Sequence, residues 1–323
     1  MDGDGVMIEE VFRIAKATLS YCETKRGRLT KAFVSHLLAR EIESHEEDEK
    51  EEVERLRLVR TNVFSIWEIA PPKETRSLYR SIREDEISKE SCAAAWEAYR
   101  TSWIPKSPLL LHLSVSIAYY IRGMTSSRKW HTFEPVLSET ETRDEIEKRF
   151  KLFLSSCTSI DEILNTVFHD MSILRMLLNM RTTEGTLRKR IMLPPIRELL
   201  RAFDAFHTTV GQSILSVGAR ALAKHCKRSK KGWWGTCEGS ELKKNEDSRK
   251  LAVRMIRNVV WINVHGLPHE VSVLEMRVKE GYGLRWAVRY SPEPQWTCIV
   301  DHFRGFLEPP MSDGHEKGWH HDK

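Results

Sequence analysis

The stretch "LRWAVRYSPEPQWTCIVDHFRGFLE", residues 284–308, predicts a β-hairpin near the C-terminus. Its first seven residues alternate between an apolar face and an arginine/alanine face, as half-buried strands do. The apolar face consists of Leu284, Trp286, Val288 and Tyr290. Two prolines in "SPEPQ", residues 291–295, predict the connecting loop. In the second half the apolar phase changes at Asp301–His302, which predicts a β-bulge.

The surroundings of this hairpin predict a small α+β cap. An isolated two-stranded hairpin is marginally stable, so we expect it to pack on helices or to extend a larger sheet. The preceding segment "HGLPHEVSVLEMRVKEGYG", residues 265–283, has Pro268 where a helix would start and Gly281 where it would end. A further short helix is predicted over residues 246–260 from its apolar periodicity.

Upstream of the cap, residues 5–225 have the apolar periodicity of successive helices. The strongest pattern covers residues 159–181, where Ser159 and Glu162 have the spacing of a capping box. Pro195 fits the first turn of another helix that continues to His225. The predicted fold class is therefore mainly α, a multi-helix body with a small C-terminal α+β cap that contains a β-hairpin.

The predicted organisation has three parts. Residues 1–225 form a helical domain, residues 226–248 form a basic and polar linker, and residues 249–323 form the C-terminal α+β region. The last part either stands apart or is integral to the helical domain, and the sequence leaves both possibilities open.

Bulk properties predict a soluble intracellular protein, cytoplasmic and/or nuclear, without a membrane span. Of the 323 residues, 41% are hydrophobic and 30% are charged, which is ordinary for a folded protein. The N-terminus has no basic region typical of a secretory signal, and the six cysteines contain no CxxC pair. The longest apolar run, residues 109–121, is too short for a membrane helix.

A basic and aromatic stretch, "KHCKRSKKGWWG" at residues 224–235, is the first candidate site. Cations neutralise phosphates and exposed indoles stack on bases, so the stretch predicts contact with RNA or DNA. The residues predicted to make it are Lys227, Arg228, Lys230, Lys231, Trp233 and Trp234. The alternatives are a solvated basic loop and tryptophans that pack on the core.

A second candidate is an anion-binding site in the cap, because the planar fork of arginine suits phosphate and carboxylate groups. Its predicted residues are His265, His269, Arg285, Arg304 and His315. The alternative is that these side chains only solvate the surface. No metal site is predicted, since the cysteines and histidines lack zinc-ligand spacing. The sequence indicates no particular cofactor.

These observations lead to two hypotheses of function. The main one is an intracellular helical interaction protein that binds a protein partner, with nucleic-acid contact through the basic and aromatic stretch. The alternative is an enzyme, or a protein that binds a small anion, with its site between the helical body and the C-terminal cap. Whether the chain is an enzyme, and its oligomeric state, stay open at this level.

Overall fold

A computed structural model describes residues 9, 11–13, 15, 39–41, 79–81, 104–105, 109–121, 139–206, 213–228, 232–290 and 298–310. The helices within these residues are α1 (Leu109–Ile121), α2 (Arg143–Ser156), α3 (Ile160–His169), α4 (Met171–Leu177), α5 (Ile196–Asp204), α6 (Val217–Arg228) and α7 (Glu241–Arg257). The strands are β1 (Ala39–Glu41), β2 (Tyr79–Ser81), β3 (Val259–Leu267), β4 (Val271–Val278), β5 (Gly283–Tyr290) and β6 (Cys298–Leu307). Strands β1 and β2 pair with each other, whereas β3 to β6 form a separate sheet.

The predicted C-terminal hairpin is confirmed and belongs to a four-stranded antiparallel sheet of order β3-β4-β5-β6. Strand β6 pairs with β5, with register shifts between Arg285 and Trp286 and between Ala287 and Val288. The second shift leaves Asp301 as an extra residue on β6, so the bulge lies where the phase change predicted it. The larger sheet supplies the packing that an isolated hairpin lacks.

The helix predicted from Pro268 to Gly281 is wrong, because this part of the chain contains the β3–β4 turn and strand β4. Leu267 pairs with Val271, so Pro268, His269 and Glu270 form a three-residue connection, in which His269 and Glu270 adopt positive φ, 64° and 59°. Strand β4 is rich in β-branched residues and alternates side chains between two faces, which favours a pleated strand over a helix.

Two long helices predicted upstream are each interrupted. The 159–181 segment contains α3 and α4, and the Asp170 side chain caps α4 by accepting from the Ser172 and Ile173 amides. Ser159 caps α3 as predicted, although the Glu162 carboxylate accepts from the Thr158 amide, one residue earlier than a capping box requires. The segment from Pro195 to His225 contains α5 and α6 instead of a single helix.

One face of the four-stranded sheet packs on α5, α6 and α7 and forms the core of the C-terminal region. The buried residues of this face include Ile262, Val264, Leu274, Met276, Leu284, Trp286, Phe303 and Phe306. The Trp286 indole N–H donates to the Leu199 carbonyl on α5 at 3.0 Å, and the Phe203 ring lies 4.8 Å from the Phe303 ring. The helices thus cover this face of the sheet, and the opposite face carries buried polar residues, among them Asn263 and Glu275.

The predicted mainly-α class is corrected by the sheet. The described residues are 49% helical and 23% strand, so the secondary structure is mixed. The physical reason is the second hairpin, β3–β4, which sequence periodicity alone did not separate from a helix. The division into three domains stays a prediction; residues 226–248, predicted as a linker, include the last turn of α6 and the first part of α7. No helix in the described ranges is long and apolar enough to cross a bilayer.

Candidate anion-binding and catalytic site

The sheet face turned away from the helices carries a row of polar residues on three neighbouring strands. Asn263 on β3 lies directly opposite Glu275 on β4, which lies directly opposite Arg285 on β5. His265 and Arg277 are each two residues from this row and therefore lie on the same face. We call His265, Glu275, Arg277 and Arg285 the charged cluster.

Glu275 is the centre of the charged cluster. Its side chain is only 2% exposed, and both carboxylate oxygens accept hydrogen bonds from arginine. Oε1 accepts from Arg277 Nε at 2.6 Å, while Oε2 accepts from Arg285 Nε at 3.1 Å and Nη2 at 2.7 Å. Burial would raise the pKa of Glu275, but the two guanidinium groups outweigh it and hold the pKa below its ordinary value. The carboxylate is therefore ionised at neutral pH.

The two arginines of the cluster differ in what they leave for a ligand. Arg277 is buried, and its Nη1 donates to the Gly281 carbonyl at 2.6 Å and the Glu308 carbonyl at 2.9 Å. Arg285 is 27% exposed, and its hydrogen bonds within the described residues use Nε and Nη2 only. Since Glu275 fixes one edge of its fork, Arg285 can offer its other terminal nitrogen, Nη1, to an anion.

His265 places an imidazole beside this arginine–carboxylate pair. Its Nε2 lies 3.8 Å from Glu275 Oε2, and its side chain is 16% exposed. Burial lowers the pKa of His265; Glu275 opposes this effect, and Arg285 and Arg277 add to it. The ring is thus neutral at pH 7 and able to accept a proton.

The backbone of His265 is held by residues 181–187, which lie along the free edge of β3 and contain a turn at Thr183–Thr186. The Leu187 amide donates to the Val264 carbonyl at 2.9 Å, and the Gly266 amide donates to the Gly185 carbonyl at 2.9 Å. Thr186 forms an isolated antiparallel bridge with His265. The edge of the sheet next to the candidate base is therefore paired.

Asn263 joins this segment to the sheet through its side chain. Its Nδ2 donates to the hydroxyls of Thr183 and Thr186, each at 3.0 Å, and its Oδ1 accepts from Arg175 Nη2 at 2.8 Å. Burial lowers the pKa of Arg175 to about 10, and its guanidinium also donates to the Arg181 carbonyl at 2.6 Å. This buried network keeps the β3 row in one arrangement.

Of the predicted anion-site residues, the structure brings His265 and Arg285 together. His269 lies exposed in the β3–β4 turn, away from the charged cluster. Arg304 is exposed on β6 at the register shift opposite β5. His315 lies outside the described residues. Sequence reasoning missed Glu275 and Asn263; polar residues spaced two apart within apolar strands, as in Asn263/His265 and Glu275/Arg277, were the available signal.

Of the two tryptophans of the basic and aromatic stretch, Trp234 is buried and Trp233 is half-buried. Trp234 is 3% exposed, and its Nε1 donates to Glu308 Oε1 at 2.7 Å. The Trp233 ring stacks on Tyr282 at 3.9 Å with an interplanar angle of 11°. This arrangement matches the alternative in which the indoles serve packing, and it leaves no open Trp234 face for a base.

The contact with RNA or DNA predicted for the four cations of that stretch stays a prediction. Helix α6 ends at Arg228, but the side chains of Lys227 and Arg228 are not described, and Lys230 and Lys231 lie outside the described residues. Among the residues that the structure describes, no group of three His, Cys, Asp or Glu side chains is arranged to hold a metal ion.

The geometry defines a candidate anion-binding site on an antiparallel sheet, in which a buried carboxylate holds an arginine beside a neutral histidine that can accept a proton. Residues 207–308 match the family of CdiA C-terminal tRNase toxin domains. The match covers about a third of the chain and includes α7, all four strands of the sheet and the whole charged cluster. No curated protein and no solved structure matches the chain.

The family match overturns the main sequence-based hypothesis of a helical interaction protein. A tRNase domain is an enzyme, and most of the matched residues lie beyond the predicted helical body, residues 1–225, on which that hypothesis rested. The alternative hypothesis, an enzyme or anion-binding protein with a site at the C-terminal cap, is the better supported one. The predicted possibility of RNA as a partner is consistent with the match.

Proposed function

We propose that residues 207–308 form a ribonuclease domain that cleaves tRNA. The observation that carries the proposal is the match of these residues to a family of tRNase toxin domains. The charged cluster supports it, because cleavage of RNA requires a cation for the phosphate and a proton acceptor for the attacking hydroxyl.

Arg285 supplies the cation. The phosphodiester is an anion, and its charge increases in the pentacoordinate transition state, so a fixed guanidinium stabilises the transition state more than the substrate. Glu275 holds Arg285 by two hydrogen bonds, which removes most of the rotamer freedom of this long side chain. Arg285 therefore needs little rearrangement when the phosphate arrives.

His265 acts as the general base. Its neutral imidazole removes the proton from the ribose 2′-hydroxyl, which then attacks the adjacent phosphorus. Glu275 keeps a negative charge 3.8 Å from His265 Nε2 and stabilises the imidazolium that forms. In this role Glu275 is a positioning residue, since both its oxygens are occupied by arginine.

The cations Lys227, Arg228, Lys230 and Lys231 contact phosphates on either side of the cleaved bond. Lys227 and Arg228 are the last two residues of α6, which packs against β6 of the same sheet, and Lys230 and Lys231 come next but one in the sequence. Such contacts add affinity without sequence preference and weaken as salt is raised.

The test is cleavage of purified tRNA by the full chain, with Arg285→Gln compared to Arg289→Gln. Arg289 lies on the same strand and the same side of the strand as Arg285, but it is 68% exposed and pairs with Asp301. We expect wild type and Arg289→Gln to shorten tRNA and Arg285→Gln to lose about 100-fold in rate. Intact tRNA after incubation with folded wild-type protein, or equal rates for the two variants, would overturn the proposal.

A further inference from the structure

His302 on β6 is an exposed histidine on the same sheet face as the charged cluster. It lies opposite Ala287 on β5, and Ala287 is two residues from Arg285 on the same strand. Its neighbour Phe303 faces the core opposite Trp286, so alternation turns His302 to the other face. Diagonal neighbours in an antiparallel pair have Cα atoms roughly 7–8 Å apart, within reach of a histidine side chain.

The strand carrying His302 is irregular on both sides of it. The two register shifts leave Asp301 and Arg304 as extra residues on β6, one before and one after the pair His302–Phe303. Bulges of this kind re-aim side chains and are frequent beside active sites. In this sheet they allow His302 to lie on the face of the charged cluster while Phe303 and Phe306 both stay in the core.

Gly305 leaves space directly beside Arg285. It is the residue opposite Arg285 in the β5–β6 pair, and a Cβ built on it would meet no atom within 4 Å. The space over Arg285 is therefore bordered by His265 on the β3 side and by His302 on the β6 side. A phosphate bound to Arg285 would have one imidazole on each side.

This arrangement fits phosphoryl transfer, in which the attacking and leaving oxygens lie on opposite sides of phosphorus. His265 lies next to the Glu275 oxygen that Arg285 binds, so the base stands on the β4 side of the phosphate. The proton donor for the leaving oxygen must then come from the β6 side, and His302 is a described residue of that edge with an exchangeable ring proton.

We propose that His302 is the general acid and that the domain cleaves RNA by transesterification, an inference that rests on the proposed ribonuclease function. His265 Nε2 takes the proton of the 2′-hydroxyl, and the 2′-oxygen forms a bond to phosphorus while the bond from phosphorus to the 5′-oxygen breaks. Protonated His302 gives its proton to that 5′-oxygen. The products are a 2′,3′-cyclic phosphate and a 5′-hydroxyl end, and no water or further reactant is consumed.

As general acid, His302 is needed only when the leaving group must be protonated. A substrate with sulfur in place of the bridging 5′-oxygen releases a thiolate, which leaves without protonation, so loss of a general acid has little effect on its cleavage. His302→Gln keeps a polar side chain at an exposed position and is expected to fold. His169→Gln is the matched control, because His169 is an exposed helical histidine on α3, outside the sheet.

The experiment measures single-turnover cleavage of a short RNA and its 5′-thio analogue by full-length protein, with circular dichroism as a check of folding. We expect His302→Gln to cut the ordinary RNA at least about 100-fold more slowly and the thio analogue at nearly the wild-type rate. His169→Gln should match wild type on both substrates.

Three results would overturn the inference: unchanged rates with His302→Gln, an equal loss on both substrates, or wild-type products that carry a 3′-hydroxyl and a 5′-phosphate. Each of these leaves ribonuclease activity itself intact. Wild-type protein that cuts no RNA would instead overturn the proposed function, and the inference with it.

Discussion

Glu275 Oε2 accepts a hydrogen bond from Arg285 Nη2 at 2.7 Å across two neighbouring strands of the sheet. The carboxylate is buried, whereas the guanidinium reaches the surface. Removing a charge pair from water costs free energy that hydrophobic residues of the same size would not cost. This charge pair lies in the middle of a sheet face, beside a histidine. A need for a fixed cation at that place explains it best.

The first prediction concerns the stability that Glu275 provides. Glu275→Gln leaves Arg277 and Arg285 without their shared counter-ion, of which Arg277 is buried. We expect a loss of about 3–5 kcal/mol in the free energy of unfolding, measured by urea denaturation. Glu246→Gln, which removes an exposed ion pair to Lys250 on α7, is the control and should leave the urea midpoint unchanged. Equal midpoints for the two variants would contradict the central place of Glu275.

The second prediction concerns pH. The pKa of His265 lies below the ordinary imidazole value because the ring is buried, so the folded protein binds fewer protons than the unfolded chain in the pH range between the two values. Its contribution to stability is therefore full above the ordinary value of about 6.5 and is lost as pH falls through the lowered value.

The lowered pKa of His265 also determines the pH at which activity is lost on the acid side of the pH–rate profile. A general base works in its neutral form, so the acid limb of kcat/KM for RNA cleavage should lie below the ordinary imidazole value of about 6.5. His265→Gln should remove this limb together with most of the activity. An acid limb centred above the ordinary imidazole pKa would show that His265 is not the base.

The third prediction concerns the buried network that pins β3. Asn263→Ala removes acceptors and donors for Arg175, Thr183 and Thr186 at once, and leaves the buried Arg175 guanidinium with fewer partners. We expect a loss of about 2–4 kcal/mol in the free energy of unfolding. Asn258→Ala, at the exposed C-terminal end of α7, is the comparison and should cost much less in the same urea titration. A similar cost for both would mean that the network adds nothing to stability.

The fourth prediction concerns the contact between α5 and α6. A Cβ on Gly218 would lie 2.2 Å from the ring of Phe203, which packs against Phe303 and Phe306 on β6. Gly218→Ala should therefore destabilise the protein by about 1–3 kcal/mol through overpacking, measured by thermal denaturation. In a Phe203→Leu background the cost should be smaller, because the smaller side chain makes room. Additive effects in the double variant would contradict this contact.

The C-terminal hairpin could be predicted because Leu284, Trp286 and Val288 alternate strictly with Arg285 and Ala287. The phase change at Asp301–His302 likewise located the bulge from the sequence alone. These are local signals, in which neighbouring residues in the chain are also neighbours in the structure.

The β3–β4 hairpin could not be recognised in the same way. Val271, Leu274 and Val278 have the i, i+3, i+7 spacing of a helix face, and Pro268 is as acceptable in a helix start as in a turn. The deciding feature is positive φ at His269 and Glu270, which are not residues that usually mark such a turn.

The candidate site could not be recognised from the sequence because of that error. With a helix predicted from Pro268 to Gly281, Glu275 is one more charged helical residue, and only the strand register places it between Arg277 and Arg285. Asn263 was missed for a related reason, because its partners Arg175 and Thr183 lie about 80 residues upstream. Contacts this distant in sequence leave no periodic pattern.

The most direct test of the central claim is single-turnover cleavage of tRNA by full-length wild type, Arg285→Lys and Arg289→Lys. Lysine keeps the positive charge and the ion pair with Glu275 but loses the planar fork that binds carboxylate and phosphate together. We expect wild type and Arg289→Lys to cleave tRNA at similar rates. Arg285→Lys should lose at least about 10-fold in rate, with little change in its stability. Cleavage by Arg285→Lys at the wild-type rate, or tRNA left intact by folded wild-type protein, would contradict the central claim.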